Sequence, residues 1–185
     1  MAHGLEAAYV ERLGRRHWDE YLALVAGFWP AVRAGLEELD LDYREADLYQ
    51  DGLPLCGREL EIVQEAAAGG SENHQLLLDL VARGATLVGT EDPNLLLEEY
   101  HHVKAALTNA PAAAGPLEPA RQAARANEML SKRDAFIGRR IGHSLRPGRT
   151  GVLFLGMMHK VEVFLPSDIV VRRLIPPVSR RVESG

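Results

Sequence analysis

The feature that most restricts the fold is a set of short strand candidates that alternate with helical patterns. Turn-forming residues such as Gly, Asp and Pro flank these segments, and each is about as long as an average strand. The segments are residues 46–50, 85–89, 151–156 and 169–174. The third, GVLFLG, is apolar throughout and is therefore predicted to be a fully buried strand. Strands that alternate with helices predict an α/β domain with a small, mostly parallel sheet flanked by helices.

Helical patterns fill most of the chain between these segments. In residues 5–40 apolar side chains recur at steps of three and four, and Pro30 is expected to divide this stretch into two amphipathic helices. Further helices are predicted at residues 58–68, 72–83, 93–107 and 121–145. Residues 109–119, rich in Pro, Ala and Gly, predict an internal loop. We therefore expect a single α/β domain over residues 1–175, followed by a flexible tail over residues 176–185.

The net charge of −5 conceals two parts of opposite charge. Residues 1–120 contain 8 basic and 21 acidic residues, whereas residues 121–185 contain 13 basic and 5 acidic residues. The arginines of the second part are not interleaved with aromatic residues, and the acidic part weakens any attraction to phosphates. We therefore expect no nucleic-acid partner. The basic part is expected to pair with the acidic part within the fold or across an oligomer.

The sequence also excludes several classes of protein. A single cysteine rules out a disulfide framework and a cysteine-based zinc module. The first residues lack the apolar core of a signal peptide, and the apolar runs are too short for a membrane span. These features predict a cytoplasmic protein with no membrane partner.

Polar side chains follow three of the predicted strands. Asp51 follows the first strand, Glu91 and Asp92 follow the second, and His159 follows the third. Ligands of parallel sheets bind outside the carboxyl ends of the strands, so these side chains are expected to meet at one edge if the strands are parallel. His159 and Glu91 are the catalytic candidates for acid–base chemistry. Asp51, Asp92 and His159 are candidate ligands for a divalent metal.

Each of these residues also has a simpler structural explanation. Asp51 precedes Gly52, which is ordinary turn chemistry. Glu91 and Asp92 precede a proline-started helix and suit the cap of that helix. The alternative for His159 is a hydrogen-bonded structural histidine.

Two charged residues lie on the inward side of the last long helix. Asp134 comes four residues after Leu130 and three before Ile137, on the apolar stripe of that helix, and Arg133 lies beside it. Burying a charge is costly without a partner. We therefore expect Arg133 and Asp134 to hold a partner in place, either His159 or a ligand anion. Arg133 is expected to bind a developing or substrate anion. The alternative is that both side chains reach solvent at the sheet edge.

A short motif in the second half of the chain resembles a known family. The run Arg133–Ile137, the strand at residues 151–156 and His159 resemble the C-terminal signature of the TraB/Tiki, ChaN-like and erythromycin-esterase-like group. In that group an R-D-x-x-[MI]-A-like helix precedes an apolar strand that ends in G-x-x-H. The resemblance covers about residues 128–160. It implies that His159 matches the C-terminal histidine, and that Arg133 and Asp134 match the helix pair.

The resemblance implies a small set of activities. Some members of the group are metal-dependent peptidases, others hydrolyse other esters, and others bind haem. Members usually carry a second histidine motif or an equivalent His or Glu on an early strand, where this chain has Asp51. We therefore expect a hydrolase for a small-molecule or peptide substrate, with a divalent metal that activates water. The alternative is a non-catalytic ligand-binding or assembly protein that forms a homo-oligomer through residues 5–40.

Overall fold

The structure, a computed structural model, describes residues 14–108 and 118–174. These residues divide into two compact units, of which one contains residues 14–41 and 172–174 and the other lies within Asp42–Val171. Most of the predicted internal loop and the predicted tail at residues 176–185 lie outside the described residues. None of the helices in the described part of the chain is both long and apolar enough to cross a lipid bilayer.

The first unit is built on one long helix, α1, which spans Arg15–Glu37. Pro30 lies inside this helix, so the prediction of two helices divided at this proline was wrong. A proline removes one backbone N–H donor and crowds the preceding turn, but the turns on both sides of Pro30 remain helical. Phe28 and Trp29 meet edge to face at 5.0 Å just before it.

The second unit contains a sheet of three parallel strands. These are β1 at Ala46–Gln50, β2 at Thr86–Val88 and β3 at Thr150–Phe154, in the order β2-β1-β3. The predicted α/β class with a small parallel sheet is therefore confirmed in this unit. The bounds 1–175 for a single domain stay a prediction.

Two strand predictions were wrong, and the strand order explains the first of them. The fully buried strand is β1, because it pairs on both sides, whereas β3 lies at an edge of the sheet with its first two residues exposed. Residues 169–174 form no strand. Ile169 packs against the core but Val170 is 93% exposed, so the strand propensity of this β-branched run is not realised.

Among the described residues, four helices flank the sheet, and each lies close to its predicted position. They are α2 at Glu59–Ala68, α3 at Glu72–Ala82, α4 at Pro93–Thr108 and α5 at Glu118–Ser144. The last begins earlier than predicted, so Glu118 and Pro119 belong to it rather than to the loop. Proline suits the first turn of a helix, where its missing N–H needs no partner.

The core beside the candidate site joins α5 to the central strand. Tyr49 of β1 packs against Ile137 and Ile141 of α5 and against Val161, which begins a short 3₁₀ helix at Val161–Phe164. Tyr49 donates its hydroxyl proton to Ser144 Oγ at 2.8 Å, since the Ser144 hydroxyl donates to a backbone carbonyl of α5. This packing fixes α5 across the sheet.

The 3₁₀ helix approaches α5 at Gly138. A Cβ added at Gly138 would lie 2.6 Å from Phe164 Cβ and 2.8 Å from the Phe164 carbonyl oxygen. Because part of the obstruction is backbone, Gly138→Ala is expected to lower the free energy of unfolding by about 1–3 kcal/mol, measured by urea denaturation. Gly27→Ala is the control, because a Cβ there meets nothing within 4 Å. A Gly138→Ala protein as stable as the wild type would contradict this close packing.

Candidate active site

The carboxyl ends of the strands bring together most of the predicted residues. Asp51 directly follows β1, Glu91 follows β2, and His159 lies in the turn after β3. Helix α5 supplies Arg133 and Asp134 to the same place. The strands are parallel, and for this reason the three strand ends lie at one edge of the sheet.

A buried ion pair between Arg133 and Glu91 lies at the base of the site. Glu91 Oε2 accepts from Arg133 Nε at 2.7 Å, and Glu91 Oε1 accepts from Arg133 Nη2 at 2.5 Å. Glu91 Oε1 also accepts from the backbone N–H of Gly52 at 2.7 Å. Glu91 is only 1% exposed and both of its oxygens accept hydrogen bonds within the protein, so its role is to position other groups.

The same arginine holds two further carboxylates. Arg133 Nη2 donates to Asp51 Oδ1 at 2.5 Å, and Arg133 Nη1 donates to Glu99 Oε2 at 2.8 Å. Hydrogen bonding to Glu91 and the charges of all three carboxylates raise the pKa of Arg133 against the opposing effect of burial. The guanidinium is therefore occupied by carboxylates of this chain, which suits a positioning role better than the predicted binding of a substrate anion.

His159 is held from behind by Asp134. The ring nitrogen Nδ1 lies 2.5 Å from Asp134 Oδ1, and Asp134 Oδ2 accepts the backbone N–H of Lys160 at 2.7 Å. Both side chains are almost fully buried. A carboxylate at Nδ1 makes this nitrogen the donor, and the second ring nitrogen is thus left to face the rest of the site.

The other ring nitrogen faces Asp51. His159 Nε2 lies 3.2 Å from Asp51 Oδ2, and that oxygen also accepts from the backbone N–H of Gly156 at 3.3 Å. The Asp51 side chain is 25% exposed, against 5% for His159, so Asp51 is the more accessible of the two. A Cβ at Gly156 would lie 3.2 Å from Asp51 Oδ2, so glycine lets the backbone approach the carboxylate.

The environment moves the pKa values of Asp51 and His159 apart. The hydrogen bond with Asp51 raises the pKa of His159 against the effect of burial, and Asp134 adds to the increase. Burial raises the pKa of Asp51, but the hydrogen bond from His159 and the nearby positive charges outweigh it and hold this pKa below its usual value. The pair is therefore stabilised as an aspartate and an imidazolium.

The predicted metal ligands do not come together. Asp92 Oδ1 accepts from the backbone N–H of Asn94 at 2.8 Å and so caps the start of α4, while Asp51 and His159 contact each other. Within residues 14–108 and 118–174, no group of three or more His, Cys, Asp or Glu side chains is arranged to hold a metal ion. The residues present do not fit the predicted site built from Asp51, Asp92 and His159.

Sequence reasoning missed Glu99. It lies on α4, a helix that does not follow a strand end directly, so the strand-end argument gave it no role. The inward position of Arg133 on its helix was the available signal, because a buried guanidinium has more N–H donors than one carboxylate can accept.

The site contains the parts that acid–base catalysis needs. Asp51 is a partly exposed carboxylate, His159 is in contact with it, and Asp134 supports the histidine from behind.

Comparison with protein-family models, with curated proteins and with solved structures finds no match to this chain.

Proposed function

We propose that the protein is a hydrolase of carboxylic esters in which Asp51 and His159 are the catalytic residues. The observation that carries the proposal is the line of contacts from Asp134 through His159 to Asp51, at the carboxyl ends of parallel strands. Pairs of titratable groups whose pKa values are pushed apart are typical of an acid and a base in one site.

The chemistry follows from the charge states of the two residues. Asp51 orients the attacking water and takes its proton while the water oxygen bonds to the ester carbonyl carbon. His159 gives its Nε2 proton to the leaving alcohol oxygen as the ester C–O bond breaks. The proton on Asp51 then returns to His159 through their 3.2 Å contact, which restores both groups.

The remaining charged residues position these two. Asp134 holds the ring of His159, and Arg133, fixed by Glu91, holds Asp51. The resemblance of residues 128–160 to the TraB/Tiki, ChaN-like and erythromycin-esterase-like group is in keeping with this proposal, since Asp134 and His159, which lie in the resembling segment, contact each other. A non-catalytic ligand-binding or assembly protein is the alternative, and the partly exposed Asp51 beside a supported histidine is the observation that favours catalysis.

The test is ester hydrolysis by the full chain and by a His159→Gln variant. With p-nitrophenyl acetate and p-nitrophenyl butyrate, we expect kcat/KM to fall by about 10²- to 10⁴-fold in the variant, because the general acid is lost. His102→Gln is the matched control, since His102 is exposed on α4. No hydrolysis by the wild type, or full activity in His159→Gln, would overturn the proposal.

A further inference from the structure

A cavity of about 550 Å³ lies beside β2. Its wall is formed by β2 with Gly89, by the loop before α2, and by the C-terminal end of α5 with the turn after it. The residues that line it do not include the proposed catalytic pair or the groups that position this pair. The volume is in the range of small-molecule sites.

Two arginines in this wall carry unused hydrogen-bond donors. Arg140 donates from Nε to the carbonyl oxygen of Gly89 at 2.9 Å. Across the described ranges 14–108 and 118–174, the Nη groups of Arg140 and the whole guanidinium of Arg146 have no hydrogen-bond or ion-pair partner. These two side chains therefore carry hydrogen-bond donors into the wall of one cavity, and the charge of Arg140 also helps to lower the pKa of the nearby Glu59 carboxyl.

The other charged groups of the wall are already paired. Arg149 donates to Asp47 Oδ1 at 2.8 Å and to Glu45 Oε2 at 2.9 Å. The Glu59 carboxylate accepts the backbone N–H groups of Cys56 and Gly57 at 2.8 and 2.9 Å. Three arginines (Arg140, Arg146 and Arg149) and two carboxylates (Asp47 and Glu59) line the wall, so its net charge is +1.

We propose that this cavity binds a small organic anion whose phosphate or carboxylate contacts Arg140 and Arg146. The planar guanidinium presents paired donors that match both groups. The bond from Arg140 to Gly89 fixes this side chain before a ligand arrives, which lowers the entropic cost of binding. Leu55 and Leu87 provide an apolar wall for the uncharged part of the ligand.

Calorimetric titration of the full chain at low salt tests the site, with phenyl phosphate and phenylacetate as probes. Arg140→Gln and Arg146→Gln are each expected to weaken binding by about tenfold or more, because each removes a charged donor. Arg139→Gln is the matched control, since Arg139 neighbours Arg140 on the same helix, is exposed and does not line the cavity.

The outcomes separate the proposal from general charge attraction. Binding of either probe that both variants weaken and Arg139→Gln does not weaken supports the site, and the tighter probe identifies the charged group. The proposal is overturned if neither probe binds, or if Arg139→Gln weakens binding as much as the two wall variants. Arg146 is exposed, so Arg146→Gln keeps the test decisive even if Arg140→Gln fails to fold.

Discussion

Replacing Arg133 with methionine is expected to lower the free energy of unfolding by about 3–5 kcal/mol. Glu91 is 1% exposed and depends on Arg133 for two of its hydrogen bonds, so the substitution leaves a buried carboxylate with a single backbone N–H donor from Gly52. Asp51 and Glu99 lose the same partner. Removing one member of a buried ion pair costs far more than removing an exposed pair.

Urea denaturation monitored by circular dichroism measures the loss of stability. Arg139→Met is the control, because Arg139 is exposed on the same helix and its replacement is expected to change stability by about 0.5 kcal/mol or less. The double variant Arg133→Met, Glu91→Gln is expected to recover part of the stability, since it removes the unpaired charge. An Arg133→Met protein as stable as Arg139→Met would show that the ion pair is not buried in solution.

The sequence was sufficient for the central strand but not for the edges of the sheet. The segment at residues 46–50 became β1 with the predicted bounds, because the Asp51-Gly52 turn signal marks its end. Whether GVLFLG is buried depends on its place in the strand order, and this order is set by long-range packing. The run at residues 169–174 has strand propensity, but it forms no strand and Val170 is 93% exposed.

In the candidate site, too, local sequence patterns predicted some residues, whereas others depended on long-range packing. Parallel strands place residues after their carboxyl ends at one edge, and this rule alone gathers Asp51, Glu91 and His159. The inward position of Asp134 on its helix indicated a partner, which is His159. Asp92 was assigned to a metal and Glu99 was missed, because helix capping and the approach of α4 to Arg133 depend on where that helix begins and packs.

Replacing Asp134 with asparagine is expected to lower the pKa of His159 and to reduce kcat/KM by roughly 10²- to 10⁴-fold. Asp134 accepts hydrogen bonds from both His159 Nδ1 and the Lys160 backbone N–H, whereas a carboxamide has one acceptor oxygen for these two donors. The negative charge that supports the imidazolium is also lost. The contribution of Asp51 to the pKa of His159 remains, so the pKa falls without reversing the order of the two groups.

The pH dependence of stability distinguishes the loss of the Asp134 charge from a simple loss of packing. A raised pKa of His159 stabilises the fold fully below the pKa of an unfolded histidine, about 6.5, and this contribution disappears as the pH rises through the folded pKa. Stability should therefore fall more steeply above about pH 6.5 in the wild type than in Asp134→Asn. NMR titration of the His159 ring measures the shift directly, and Asp168→Asn, an exposed change after the 3₁₀ helix, should leave it unaltered. An unchanged pKa of His159 in Asp134→Asn would mean that Asp134 only packs against the ring. Asp51 would then be the one carboxylate of this pair that raises the pKa of His159.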